Sequence, residues 1–171
     1  MGIDGKERRC YLITNINCEK EPRLADPKER FETIVRKIRD HGHKITPQRL
    51  AIVGILAKSD GHPRAEDVHD LVKGDFPTMS LATVYRNILL IKSLGEVLEL
   101  GFPYGSNRYD GNKPHPHPHV ICIRCKKIVD PDLDSMDIMK KEVAEETHFE
   151  ILSHRLDFFG ICSDCMASEK A

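Results

Sequence analysis

The segment His115-Pro116-His117-Pro118-His119-Val120-Ile121-Cys122-Ile123-Arg124-Cys125 combines three histidines with a Cys-x-x-Cys pair, and a second pair follows in Cys162-Ser163-Asp164-Cys165. Two such pairs can present four thiolates to Zn²⁺ in a tetrahedron. The alternatives are redox-active pairs or buried free thiols. Two redox pairs are rare in one small domain, and a domain this small needs a cross-link to supplement its core. We therefore expect one structural zinc ion, bound by Cys122, Cys125, Cys162 and Cys165.

The histidines of this segment alternate with prolines. Alternation with proline favours an extended chain in which every second side chain shares one face. His115, His117 and His119 can therefore converge on a metal, and a solvated histidine tract is the alternative. Their spacing from Cys122 argues against further zinc ligation. Together with nearby carboxylates they would suit a second, harder site for Fe²⁺ or Mn²⁺.

Upstream of this segment, capping signals predict several helices. Asp26-Pro27, Thr46-Pro47 and Ser80 each combine a capping side chain with a following helical pattern, and two of them have proline at the first helical position. Gly42 and Gly95 are typical helix stops. These signals predict a first, a second and a fourth helix, with a short third helix between them.

The third helix is predicted from about Arg64 to Lys73, and two extended segments follow the fourth helix. These segments, 96–102 and 107–110, flank the turn-forming stretch 103–106 and predict a hairpin. Short helices followed by a hairpin are typical of winged-helix DNA-binding domains.

The composition changes at Gly111–Pro114, which we interpret as a linker. Beyond it we predict short strands at 120–123 and 127–129, a helix capped by Asp134 and a long strand over 149–159. The fold class is therefore α+β. It comprises an N-terminal winged-helix DNA-binding domain and a small α/β domain that zinc stabilises.

We divide the chain into an N-terminal extension at 1–25, the winged-helix domain at 26–111 and the metal-binding domain at 112–171. Cys10 and Cys18 in the extension are expected to be bystanders.

The net charge is −1, and no apolar run approaches the roughly 20 residues of a membrane span. The N-terminus also lacks a secretory signal. We therefore expect a soluble cytoplasmic protein with no membrane partner, in which paired cysteines bind metal rather than form disulfides.

The sequence resembles the ferric uptake regulator family of dimeric metal-dependent repressors, most closely its peroxide-sensing branch. The resemblance covers roughly residues 28–165 and rests on motifs that occur in the family's order. These are Ile45-Thr46-Pro47-Gln48-Arg49, His62-Pro63, Leu81-Ala82-Thr83-Val84-Tyr85-Arg86-Asn87, Arg108-Tyr109-Asp110, His117-Pro118-His119-Val120-Ile121-Cys122, Cys125-Lys126-Lys127-Ile128-Val129-Asp130, His154-Arg155-Leu156 and Gly160-Ile161-Cys162.

This resemblance implies that the second domain, at 112–171, is an α/β dimerisation domain, and that the protein is a homodimer on double-stranded palindromic DNA with structural zinc on the four cysteines. Because the net charge is nearly neutral, this DNA binding is expected to depend on the dimer and the metal, and to weaken with salt. The resemblance also implies a regulatory Fe²⁺ or Mn²⁺ ion that bridges the two domains. The implied ligands are His62, Asp110, His117, His119 and Asp130.

Asp130 favours the peroxide-sensing branch, because iron sensors of the family tend to carry Glu at this position. In that branch, peroxide reacts with bound Fe²⁺ and ligand histidines are oxidised, which here implicates His62 and His117. An iron sensor is the first alternative, and a zinc or manganese sensor is the second.

A metalloenzyme is the competitor from another class, but the chain shows no nucleophile or substrate-pocket signature. We expect no enzymatic activity and no small organic ligand.

The fourth helix is the expected recognition helix. We assign DNA contacts to Ser80, Thr83, Tyr85 and Arg86, with Arg49 on a phosphate. The alternative for Tyr85 is packing on the core.

The sequence departs from the family pattern at Pro118, where many iron sensors carry an Asp that helps form an additional metal site. We therefore do not expect that additional site here, although His154 is present. His115 and Pro116 are also unusual, and the sequence assigns no role to His115 or His154.

Overall fold

The computed structural model describes residues 26–102, 105–133 and 135–168. The predicted extension with Cys10 and Cys18, the turn residues 103–104 and the predicted cap Asp134 lie outside the described residues. The elements in chain order are α1 (Pro27–Asp40), α2 (Pro47–Lys58), α3 (Ala65–Val72), α4 (Leu81–Ser93), β1 (Leu98–Leu100), β2 (Arg108–Asp110), β3 (Pro118–Cys122), β4 (Ile128–Val129), α5 (Met136–Thr147), β5 (Leu156–Gly160) and α6 (Ser163–Ala167).

The predicted capping signals mark the beginnings of three helices. The side chains of Asp26, Thr46 and Ser80 each accept a hydrogen bond from a backbone N–H in the first turn. Gly42 and Gly95 follow α1 and α4 with φ of +75° and +74°. Glycine adopts this left-handed conformation without the steric cost of a Cβ, so both helices end where the sequence predicts.

The apolar faces of α1–α4 meet in one core that excludes water. Ile34, Ile52, Val68 and Ile88, one from each helix, are fully buried in it, and Tyr109 of the hairpin closes it. Burial of each such side chain stabilises the fold by about 1.5–3 kcal/mol relative to exposure.

The hairpin forms as predicted and is tied to the loop before α3. Strands β1 and β2 are antiparallel, with Leu98 opposite Asp110 and Leu100 opposite Arg108. The Tyr109 N–H donates to the Pro63 carbonyl at 3.0 Å. The hairpin therefore places Asp110 beside the loop that carries His62.

The second sheet has the strand order β4-β3-β5, with β3 antiparallel to β4 and parallel to β5. The prediction of one long strand over 149–159 is wrong for its first part, because the observed strand is Leu156–Gly160. The physical reason is the length of the neighbour. Strand β3 begins at Pro118, which pairs with Leu156. Residues before Leu156 therefore have no residue of β3 with which to form backbone hydrogen bonds.

A small apolar cluster joins the hairpin to this second sheet. Leu100, Ile121 and Ile128 are buried in it, and Leu98 and Phe102 pack against them. The predicted linker is also more constrained than the sequence indicates, because Gly111 and Asn112 are both buried. Within the described part of the chain, no helix has the length and apolar character needed to traverse a lipid bilayer.

Candidate metal centres

Four cysteine sulfurs meet at the end of the second sheet. The Sγ atoms of Cys122 and Cys165 lie 3.9 Å apart, and those of Cys125 and Cys162 lie 3.6 Å apart. All four lie within 4.8 Å of one another. Tetrahedral zinc with Zn–S bonds of about 2.3 Å requires sulfurs separated by about 3.8 Å, so this arrangement fits a closed structural zinc site.

Tight turns present these sulfurs. After Cys122, Lys126 adopts a left-handed φ of +63° and its N–H donates to the Cys122 carbonyl at 3.0 Å. The backbone N–H of Cys162 points at Cys122 Sγ at 3.4 Å. Backbone N–H groups of Cys162, Cys125 and Arg124 lower the pKa of the Cys122 thiol to about 6 and so favour the thiolate that binds metal.

The five residues of the second cluster come from four segments of the fold. His62 lies in the loop before α3, Asp110 ends β2, His117 directly precedes β3, His119 lies within β3 and Asp130 directly follows β4. The hairpin and its loop supply the first two residues and the second sheet supplies the other three. Only the packing of the two halves brings these side chains together.

The side-chain atoms of the cluster lie close to one another. Nε2 of His62 lies 3.4 Å from Asp110 Oδ2 and 3.2 Å from Asp130 Oδ1. Nε2 of His117 lies 3.4 Å from each of the same two carboxylates, and Nε2 of His119 lies 3.9 Å from Asp130 Oδ1. Such separations are those of atoms arranged around a common centre.

Burial of these atoms without hydrogen bonds indicates a metal. His62, Asp110 and His119 are at most 3 % exposed. Among the described residues, the Nε2 atoms of His62, His117 and His119 have no hydrogen-bond partner. Burying such groups unpaired costs free energy, which coordination of a cation offsets. Three imidazoles and two carboxylates are a donor set that suits Fe²⁺, Mn²⁺ or Zn²⁺.

Outer contacts orient the ligands. His117 Nδ1 lies 2.8 Å from the His115 carbonyl, and His119 Nδ1 lies 3.6 Å from Asp157 Oδ1. Donation from His117 Nδ1–H to the His115 carbonyl leaves His117 Nε2 free to bind a metal. The His119–Asp157 contact is electrostatic only, because neither atom has a hydrogen-bond partner among the described residues. Asp110 Oδ1 accepts from the backbone N–H groups of Asn112 and Lys113 at 2.8 and 2.9 Å, which leaves Oδ2 for the cluster.

Burial and neighbouring side chains shift the pKa values of the histidines in this cluster. Burial opposes protonation of His62, but the Asp110 and Asp130 carboxylates outweigh it and raise the pKa of His62 to about 9. Burial and the neighbouring His117 and His62 lower the pKa of His119 to about 4. Perturbations of this size are typical of functional sites.

His62 also carries backbone strain. Its φ of +49° lies in the left-handed region that non-glycine residues rarely adopt. The hairpin holds this conformation in place, because Arg108 Nη1 donates to the His62 carbonyl at 3.4 Å. Strain that the surrounding structure maintains is characteristic of ligand-binding positions.

The predicted convergence of three histidines is correct for only two of them. His117 and His119 enter the cluster with His62, whereas His115 is exposed and contributes its backbone carbonyl. Sequence reasoning missed Asp157, which lies between two of the family motifs and belongs to neither. Its position opposite His119 follows from the parallel register of β3 and β5. His154 lines a separate cavity of about 130 Å³ beside α5.

A cavity of about 270 Å³ opens onto the same cluster. Its walls include His62, Asp110 and Asp130, together with the polar side chains of Asp60 and Lys113. The cluster is therefore buried but remains accessible to a small solute.

Four of the five predicted DNA-contacting residues lie at the start of α4, and the fifth, Arg49, lies in α2. Arg86 is exposed, and Ser80 and Thr83 hydroxyls lie 3.0 Å apart. Tyr85 differs from its predicted outward position, since its ring packs against the core and its hydroxyl donates to Glu66 at 3.0 Å. Arg49 is likewise engaged within the fold.

The Arg49 guanidinium connects α2 to α4. Its Nε donates to the Asn87 side chain at 2.8 Å, and Asn87 donates to the Thr83 carbonyl at 2.8 Å. A second contact joins Arg49 to the Lys44 carbonyl. These contacts make Arg49 a support for α4.

Residues 40–159 match the model of the ferric uptake regulator family. This chain belongs to that family. The chain is 38% identical over 145 residues to the peroxide-responsive repressor PerR of Staphylococcus saprophyticus, covering 83% of this chain and 95% of the relative.

Solved structures of family members resemble the fold. The ferric uptake regulator of Francisella tularensis with iron is 27% identical with a TM-score of 0.64, covering 72% of this chain and 96% of that one. The Helicobacter pylori ferric uptake regulator is 24% identical with a TM-score of 0.72, covering 85% and 97%.

Proposed function

We propose that this protein is a dimeric, metal-dependent transcriptional repressor that leaves its DNA when peroxide oxidises histidines of its regulatory metal site. The observation that carries the proposal is the five-residue cluster drawn from both halves of the chain. The matching relative named as a peroxide-responsive repressor supports the same conclusion.

The regulatory site is proposed to act by joining two domains, at 26–111 and 112–171. His62 and Asp110 come from the first domain, and His117, His119 and Asp130 from the second. A cation held by both sets stabilises one relative orientation of the domains, which is a two-state element biased by a ligand. In that orientation the α4 helices of a dimer would lie about one DNA turn apart.

Peroxide sensing is proposed to use the same ligands. Iron held by these residues would supply the redox chemistry. In the net reaction one oxygen of hydrogen peroxide would replace an imidazole C–H bond with a C–OH bond and the other would leave as water, so that the two electrons that reduce the peroxide come from the ring. The cavity beside His62 and Asp130 gives a small oxidant access. An oxidised His62 or His117 would be a poorer ligand, and the link between the domains would weaken.

The cysteine cluster is proposed to hold structural zinc. Its four sulfurs join the end of β3 to the segment that follows β5. The donor set and its separations fit Zn²⁺ without an open coordination position, so the role is stability rather than sensing.

The proposed partner of the second domain is another copy of this chain. Helix α5 buries none of its residues, and Ile138, Phe149, Leu152 and Phe159 are among its domain's exposed large apolar side chains. Strand β5 also has one edge without a partner in the described sheet. Exposed apolar surface and a free strand edge both favour association.

DNA is proposed to bind at the start of α4. Arg86, Ser80 and Thr83 would face a groove of the duplex, with Arg49 holding the helix in position. Tyr85 is retained as a candidate contact only through the exposed part of its half-buried side chain.

Mass spectrometry of the iron-loaded protein after dilute peroxide tests this function. We expect one added oxygen atom on His62 or His117, with parallel loss of binding to palindromic promoter DNA. Manganese-loaded protein is the matched control and should remain unmodified and bound. Unmodified histidines together with retained DNA binding would instead identify a ferrous-iron sensor, the alternative within the same family.

A further inference from the structure

Arg30 of α1 is buried and points at the segment that joins the two halves of the chain. Its side chain is 6 % exposed. The Nε atom donates to the Gly111 carbonyl at 2.6 Å, and Nη2 donates to the Glu96 carbonyl at 2.7 Å. One guanidinium therefore holds two backbone carbonyls from different parts of the chain.

Glu96 neutralises and orients this guanidinium. Its carboxylate forms an ion pair with Arg30 Nη1 and a second ion pair with Lys37 of α1. Glu96 is 3 % exposed, so the pair is largely removed from water. A buried charge of this kind is tolerated only when its hydrogen bonds are satisfied, and here Glu96 accepts two of them and the Gly111 carbonyl accepts the third.

Gly111 has little freedom to move. A Cβ at this position would lie 2.8 Å from the backbone oxygen of Leu56 near the end of α2, closer than Cβ atoms approach non-bonded neighbours in proteins. The close approach to Leu56 requires glycine at position 111 and packs this part of the chain directly against α2. Arg30 holds the same residue from the side of α1.

The residue before Gly111 is the ligand Asp110, whose Oδ1 accepts the N–H groups of Asn112 and Lys113. Any displacement of Gly111 therefore moves both the backbone of Asp110 and the turn that orients its carboxylate. Asp110 Oδ2, which lies 3.4 Å from His62 and His117 Nε2, would move with them.

We propose that Arg30 is a positioning residue of the regulatory metal site, which acts by holding the Gly111 carbonyl so that Asp110 is presented to the metal. This inference rests on the proposed regulatory site. It places the control of metal affinity partly in α1, an element that supplies no ligand. The partners that orient metal ligands typically affect metal affinity by about 10–100-fold.

The test measures Mn²⁺ affinity of the full-length, zinc-containing protein by calorimetry. Arg30→Met should weaken Mn²⁺ binding about tenfold or more, without loss of zinc. Arg30→Lys keeps a charge for Glu96 but lacks the planar fork, so it should also weaken binding. Lys37→Met removes the other ion pair of Glu96 from the same helix and is the matched control. It should leave Mn²⁺ affinity unchanged.

A double-mutant cycle separates positioning from general stability. Asp110→Asn keeps an oxygen ligand and weakens the site directly. If Arg30 acts through Asp110, Arg30→Met should cause little further loss in that background. Thermal unfolding checks that each variant is folded at the assay temperature. If Arg30→Met is not folded, the same comparison is made with Arg30→Lys.

Two results would overturn the inference while leaving the proposed function intact. One is native-like Mn²⁺ affinity in folded Arg30 variants. The other is an equal loss with and without Asp110→Asn, which would show an effect on stability alone. Failure of the unmodified protein to bind Mn²⁺ in a His62-dependent manner would overturn the proposed function and this inference together.

Discussion

The Nε2 atom of His62 lies 3.2 Å from Oδ1 of Asp130, although His62 precedes α3 in the helical half and Asp130 follows β4 in the second sheet. This contact spans the two halves of the chain. A cation between the two side chains would therefore act on the relative orientation of the halves as well as on its own ligands.

The first prediction concerns His62 itself. His62→Ala should weaken Mn²⁺ binding by about 100-fold or more, because it removes a ligand outright and not only an outer contact. Zinc content should be unchanged, since the cysteine cluster is separate. Calorimetry with Mn²⁺ and elemental analysis measure the two quantities. His115→Ala is the matched control, because the backbone carbonyl that contacts His117 is retained. Equal losses in both variants would contradict the assigned ligand set.

The second prediction concerns the zinc cluster. Cys162→Ser should abolish zinc retention and lower the midpoint of thermal unfolding by about 10 °C or more, because metal-binding free energy in such sites is folding free energy. Zinc analysis and calorimetric scanning measure these effects. Cys18→Ser, in the predicted extension, should change neither. A native unfolding midpoint in zinc-free Cys162→Ser would show that the cluster is not structural.

The third prediction is a pH dependence of metal binding. Without metal, the pKa of His62 is raised to about 9 by Asp110 and Asp130 against the effect of burial. His62 is therefore protonated at pH 7, and a metal must displace that proton. Mn²⁺ affinity should rise as pH increases from about 7 to about 9 and level off above the pKa, with proton release on binding.

Calorimetry in buffers of different ionisation enthalpy measures the released protons. His62→Ala should reduce proton release at pH 7.5, whereas His115→Ala should not. Mn²⁺ affinity that is independent of pH over this range would show that His62 does not bind the ion in exchange for a proton.

The fourth prediction concerns the start of α4. Arg86→Ala should weaken binding to the palindromic promoter by about 1–3 kcal/mol, as expected for loss of a base-contacting arginine. Titration at several salt concentrations distinguishes a base contact from a phosphate contact, because only the latter lowers the salt slope. Lys140→Ala on α5 removes a cation from a remote surface and should leave the affinity unchanged.

The fifth prediction concerns the apolar surface of α5. Val143 is 43 % exposed and Ile138 is 60 % exposed, on a helix with no buried residues. Val143→Glu should shift the protein from dimer to monomer, because a charge would have to be desolvated at the interface. Analytical ultracentrifugation measures the mass. Glu145→Gln changes a neighbouring exposed residue without adding charge and should remain dimeric.

The helices of the first half could be predicted from the sequence because their capping interactions are local. Asp26, Thr46 and Ser80 cap helices through hydrogen bonds to N–H groups a few residues away, so the signal and its effect lie in one short segment. The long strand predicted over 149–159 failed for the opposite reason. Strand pairing depends on the length of β3, which is remote in sequence. The half-buried position of Tyr85 likewise depends on a distant residue, since its hydroxyl donates a hydrogen bond to Glu66 on another helix.

The metal sites also combine features that a local sequence pattern predicts with features that only tertiary packing produces. The two Cys-x-x-Cys pairs already indicated a four-sulfur site, because each pair is a local turn. The alternation of His117, Pro118 and His119 likewise indicated a shared face. By itself the sequence determined these local ligand groups, the helix caps and, through the family's motifs, the list of five candidate ligands.

Only the tertiary structure decided that His62 and Asp110 meet His117, His119 and Asp130, and that His115 does not. It also decided that the segment at Gly111 is held by Arg30 and Leu56 instead of acting as a free linker. These contacts join positions far apart in the chain through packing and buried hydrogen bonds. Such interactions form only when the complete core brings the elements together, so no local pattern encodes them.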